Sequence, residues 1–242
     1  MMELMKTCFN NDGCCEHEES LFHEPAGNPG LYFSKQPTDI RHIHRVIAQD
    51  SNLFVLNLLR DPRDVVSSQH QSKPGLYFCN LRVWIECYRC AKRLEGHPRF
   101  WTVRYESLTS DPDAIQQDIV RQFPFLTQTN RFSEYHRHAR PSSNSQNAMS
   151  GLRPITGDRQ RNWEKHLPRI KSQLDRYPDL PDLLIESGYE KDRAWTQLLS
   201  NVLPQEFDCR YPERVFFLKA LETRLRKYVQ ARAYLARHSV SS

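Results

Sequence analysis

The chain has 242 residues, 38% hydrophobic and 26% charged, which fits a polar globular protein of one large or two small domains with a sizeable core. No apolar run approaches the roughly 18 residues of a membrane span, and the start, Met1-Met-Glu-Leu-Met-Lys6, lacks the apolar stretch of a signal peptide. Neither a transmembrane nor a secreted protein is expected; the net charge of +5 is modest, and seven unevenly spread cysteines imply thiols in a reducing compartment, so a cytoplasmic location is expected.

Residues 1–30 are expected to be irregular, because Gly13, Pro25, Gly27, Pro29 and Gly30 interrupt every periodicity. Leu31-Tyr-Phe-Ser34 reads as a short strand. Thr38 or Asp39 then caps a helix that carries Ile40, Ile43, Val46 and Ile47 at helical spacing. Leu53–Leu59 is the most apolar run and reads as a buried parallel strand. Asp61 follows as an N-cap, with Pro62 at the first helical position. An amphipathic helix is expected over Asn80–Leu94, with Leu81, Trp84, Tyr88 and Ala91 on one face, and a strand over Phe100–Arg104. Asp111-Pro112 repeats the helix start, and its helix carries Ile115, Ile119, Val120 and Phe123. Strand, Asp-Pro, helix therefore occurs twice, the rhythm of a parallel α/β sheet.

The stretch Arg137–Gly157 is rich in Ser, Asn, Pro and Gly and reads as a long loop. Helical pattern resumes at Trp163–Leu174. Val215–Leu235 carries Leu218, Leu221, Leu225, Tyr228 and Tyr234 among many arginines and reads as an amphipathic helix docked on the body of the protein. Between Arg131 and Lys171 nine Lys/Arg stand against three acids. Such a block serves nucleic acid, a membrane surface or a small anion, or is simply a solvated face.

The chemistry concentrates at residues 53–68. A parallel strand feeding a helix places the turn between them at the edge where α/β proteins bind ligands. Here that turn carries Arg60, and Ser68 lies eight residues on, so the expected ligand is an anion, most simply a phosphate. The planar guanidinium fork fits phosphate oxygens bidentately. Asp64 and Ser68 share a helix face by their spacing.

Three motifs in order, Arg60-Asp-Pro-Arg-Asp-Val-Val-Ser-Ser68, Arg104-Tyr-Glu-Ser-Leu108 and Arg153-Pro-Ile-Thr-Gly157 followed by Trp163, resemble the sulfotransferase superfamily over residues 31–175. Its members move a sulfuryl group from 3′-phosphoadenosine-5′-phosphosulfate (PAPS) to a hydroxyl or amine. The resemblance implies a P-loop NTPase-like parallel sheet flanked by helices. It implies that Arg60 and Ser68 bind the 3′-phosphate of the donor, that Arg153 supplements them from a closing loop, and that Tyr105 packs on the adenine. Lys35-Gln36-Pro37 resembles the Lys-Thr-Pro of bacterial-type members, which makes Lys35 the cation at the departing phosphate. Where cytosolic members carry a histidine base, this chain has Pro37, and where they carry Arg-Lys-Gly it has Leu152-Arg153-Pro154. The family's loop of the Lys-Ser-Gly-Thr-Thr type, which cradles the 5′-phosphosulfate as a P-loop does, has no counterpart in the first 60 residues. A sheet incomplete on its N-terminal side is therefore expected.

The expected organisation is an irregular segment over 1–30, a sulfotransferase-like α/β domain over 31–200 and a C-terminal helix within 201–242. The expected function is PAPS-dependent sulfuryl transfer to a small-molecule, glycan or peptide acceptor, without a metal and without nucleic acid. The alternatives are a truncated or degenerate nucleotide-binding relative and a basic nucleic-acid-binding module. Cys87 and Cys90 with Cys14, Cys15 and His17 offer metal-ligand types, but Cys87 and Cys90 fall within a helical pattern and read as structural thiols.

Overall fold

The computed structural model describes residues 1–16, 18–23, 25–27, 29–69, 75–143, 145–146, 151–213 and 217–238, with only the backbone at 217–220. The protein is mixed α/β and packs as two compact units. The first comprises Met1–Leu59, Cys87–Thr156 and Phe216–Ser242, and the second Arg60–Glu86 and Gly157–Val215. His17 lies outside the described residues, among which no group of three metal-ligating side chains assembles. No described helix is long and apolar enough to cross a membrane.

The first unit holds two small parallel sheets. Strand β1 (Gly13–Cys14) pairs with β2 (Tyr32–Phe33), and β3 (Val55–Leu59) pairs with β4 (Phe100–Arg104) in the register Val55↔Phe100 to Leu59↔Arg104. Asn57 Nδ2 donates to Thr102 Oγ1 across the second pair at 3.2 Å. Both sequence-expected strands of that pair form. The expectation of burial for β3 needs correcting: it has one strand neighbour among the described residues, and Phe54 and Leu58 are 39% and 37% exposed. An apolar run identifies a strand but not how many neighbours cover it.

Residues 1–30 also depart from expectation. A helix forms over Met2–Cys8, because the Gly and Pro interruptions begin only at Gly13. Leu4, Met5, Cys8 and Phe9 pack with Val103, Leu108, Ile119, Phe123 and Phe132 in the main core, and Phe9 meets Phe132 edge to face at 5.6 Å. A second cluster joins Ile40, Ile43 and Ile47 to Ala91, Leu94 and Phe100. Asp39 does not cap the Ile40–Ile43 helix with its side chain. Its buried carboxylate instead accepts bonds from Leu21 N–H and Ser20 Oγ and pairs with Lys227. Asp111 does cap as its sequence predicts, accepting from Ala114 N–H at 3.0 Å at the head of the Pro112–Gln122 helix. The Phe217–His238 helix docks through Ala231 and Tyr234, which pack with Phe22 and Val46.

The second unit is built of short helices and turns. It contains the Pro62–Val66 helix, the first part of the Leu81–Lys92 helix, a 3-10 turn over Asn162–His166, and helices over Leu167–Arg176 and Leu180–Glu186. Trp163, Leu180, Leu184 and Leu199 are among its buried side chains. Asn80, where the sequence starts the Leu81–Lys92 helix, caps it instead, its Oδ1 accepting from Val83 N–H at 3.1 Å.

Candidate functional site

Asp61, Arg63 and Asp64 organise the segment that carries Arg60 and Ser68. Asp61 Oδ1 accepts from Arg63 N–H at 2.8 Å, the N-cap bond that starts the Pro62–Val66 helix. The Arg63 side chain turns back on the same carboxylate, with Nη2 to Oδ2 at 2.7 Å, and its Nη1 meets Glu190 at 2.6 Å. The guanidinium lies against the edge-to-face pair of Trp163 and Trp195, at 4.3 and 4.8 Å from their ring centroids. Burial works against its charge, and Asp61 and Glu190 more than offset this, so its pKa is raised. Arg63 is thus a structural cation, sealed in by two aromatic rings and two carboxylates.

Asp64 is the hub. It is 2% exposed, and its two oxygens accept from the backbone N–H groups of Arg161 and Trp163, each at 3.0 Å. Burial pushes its carboxyl above the usual range, while the Trp163 N–H, the Arg60 guanidinium and the Arg161 N–H pull it back. Arg161 sits in the left-handed region at φ 56°, uncommon for a residue with a Cβ. The paired bonds to Asp64 hold it there, so one buried carboxylate fixes the turn that opens the helix after it.

Arg60 and Ser68 both address this hub. The Arg60 Nη2 lies 3.6 Å from Asp64 Oδ2 and donates to the Arg159 carbonyl at 2.7 Å, with the side chain partly exposed. Ser68 Oγ donates to the Asp64 carbonyl at 3.0 Å. The helix, however, ends at Val66 with Ser67 as its C-cap, so Ser68 stands past the helix and not on the face that its spacing from Asp64 predicts. Periodicity overshot because Phe78 N–H takes the Ser68 carbonyl and draws the chain away. Arg60 and Ser68 are chemically suited to an anion: a guanidinium has five donors in a fork, and a hydroxyl donates or accepts.

The other residues assigned from the sequence lie in the first unit. Arg153 is exposed, with its neighbours Leu152 and Ile155 packed on the main core. Tyr105 is half-buried at the head of a helix over Tyr105–Ser110. Lys35 Nζ is ion-paired with Glu18 Oε1 at 3.1 Å, and the Lys35 backbone carbonyl accepts from Glu19 N–H. Of the assigned residues, Arg60 and Ser68 thus belong to the second unit and Lys35, Tyr105 and Arg153 to the first.

Sequence reasoning missed Arg63 and Arg169, and placed Asp64 only as a face-mate of Ser68, not as the hub. Arg169 is 2% exposed, donates to the carbonyls of Val66 and Cys79 at 2.6 and 2.9 Å, and stacks on Tyr77 at 4.0 Å. It ties both ends of the Ser68 loop to the Leu167–Arg176 helix. The i,i+4 relation of Arg60 to Asp64 was the available signal for the hub; nothing local marks Arg169.

No protein-family model matches the chain, and no curated protein matches it.

Proposed function

We propose that the chain is a sulfotransferase-like protein that binds a 3′-phosphorylated adenine nucleotide and transfers a sulfuryl group from PAPS to a hydroxyl or amine. The observation that carries this reading is the arrangement around Asp64. Arg60 directly follows a parallel strand and precedes an Asp-Pro-capped helix, and its guanidinium is oriented by the Asp64 carboxylate and the Arg159 carbonyl. Ser68 is fixed to the same residue. Such an oriented cation and hydroxyl suit a terminal phosphate monoester, in a P-loop NTPase-like setting of parallel strands followed by helices. In this reading Arg60 and Ser68 take the 3′-phosphate.

The second reading is a relative that binds the nucleotide without transferring the group. The Lys35–Glu18 ion pair favours it, because a lysine already compensated by a carboxylate supplies less field to a leaving oxygen. Incubation with radiolabelled PAPS and pooled phenol, sugar and amine acceptors separates the two. Labelled acceptor supports transfer; retention on immobilised 3′,5′-ADP without labelled product supports binding alone. Retention on DNA in place of 3′,5′-ADP rejects both.

A further inference from the structure

The Phe217–His238 helix carries six lysines and arginines against the single acid Glu222, a net charge equal to that of the whole chain, +5. The protein's excess positive charge is therefore that of one helix. Its docked side is small: Ala231, Tyr234 and Leu235 pack with Phe22 and Val46, Lys227 pairs with Asp39, and Tyr234 donates to Asp50. Of the residues that the sequence suggests as the docking face, Tyr234 docks, whereas Leu221 and Leu225 point elsewhere. Leu221, Leu225, Tyr228 and Val229 form a separate stripe at i, i+4, i+7 and i+8 and are 43%, 57%, 51% and 63% exposed. Arg232 continues that stripe, while Arg224 and Arg226 flank it on opposite sides, and all three are exposed.

A further cation lies beside this stripe: the Arg45 guanidinium is 5.8 Å from the Tyr228 ring centroid. Surplus positive charge next to exposed leucines calls for a surface that is both anionic and apolar.

We propose that the outward stripe of the Phe217–His238 helix docks on an anionic lipid surface, with Leu221, Leu225, Tyr228 and Val229 entering the headgroup–acyl boundary and the flanking arginines meeting lipid phosphates. A nucleic acid satisfies the charge but offers nothing to Leu225 and Val229. A second copy of the chain covers the leucines but brings two such cationic helices together. A bilayer containing acidic lipid meets both demands.

Vesicle flotation with the full chain tests this, using phosphatidylcholine alone and phosphatidylcholine with phosphatidylserine. Binding about tenfold tighter to the acidic vesicles is expected, falling with added salt. It should be lost in the double variant Leu225→Glu/Val229→Glu and, separately, in Arg224→Glu/Arg226→Glu/Arg232→Glu. These positions are exposed, so circular dichroism and thermal unfolding of both variants should match the parent. Equal partition onto neutral and acidic vesicles, no partition at all, or partition unchanged by Leu225→Glu/Val229→Glu overturns the proposal. So does a dimer in sedimentation that the leucine variant dissolves, which makes the stripe an interface between copies, or capture by an acidic protein in preference to vesicles.

Discussion

Replacing Asp64 by alanine removes the acceptor of two backbone N–H groups at once. Both bonds are 3.0 Å long and run from a buried carboxylate to the Arg161 and Trp163 amides. A hydrogen bond to a charged group contributes about 1.5–3 kcal/mol, so losing two costs about 3–6 kcal/mol, a large part of the roughly 5–15 kcal/mol by which domains are stable. Arg161 would also lose what holds it at positive φ, and Arg60 its ion-pair partner. Urea unfolding followed by tryptophan fluorescence is the assay, since Trp84, Trp163 and Trp195 all lie in the second unit. The midpoint should fall sharply with an unchanged slope. Asp64→Asn keeps one acceptor oxygen and should lie between parent and alanine variant. A loss below about 1 kcal/mol for Asp64→Ala, within the range of surface substitutions, would refute the role of Asp64 as the organiser of this segment.

Other outcomes follow from the same contacts. Arg63→Lys keeps the charge but loses the fork on Asp61 and the guanidinium's contacts with two tryptophan rings, and should cost about 2 kcal/mol or more in the same urea assay. Burial, helped by Arg45 and Lys227 and opposed by Asp39, lowers the pKa of His42 from 6.5 to about 4. The unfolded chain therefore takes up a proton as pH falls below 6.5 while the folded one does not, so stability declines from there down to about pH 4. His42→Gln should flatten that part of the stability–pH curve; an unchanged slope sinks the assignment.

Local chemistry was legible in the sequence wherever a few neighbouring residues decide the outcome. The caps at Asp61 and Asp111 depend only on a carboxylate reaching back to the next turn, and both form. The β3 and β4 runs were likewise readable from apolar content. What was hidden depends on distant partners. Leu58 is partly exposed on β3, because what covers each face of a strand is not encoded in the strand's own run. Ser68 leaves the helix because Phe78 and Arg169 hold the loop that follows. The C-terminal helix turns Ala231, Tyr234 and Leu235 inward and leaves Leu221 and Leu225 exposed, because Phe22, Val46 and Asp50 receive its C-terminal half. For the site, Arg60 was found from its place after a strand, while the buried carboxylate that orients it emerged only with the fold.

The central claim is that Arg60 and Ser68 form a 3′-phosphate clamp, and titration calorimetry tests it most directly. The protein should bind 3′,5′-ADP about ten- to a hundredfold more tightly than 5′-AMP, as a charge-assisted pair of about 1.5–3 kcal/mol requires, and Arg60→Ala should bring the two affinities together. Equal affinities in the parent protein, or a preference that survives Arg60→Ala, would contradict it.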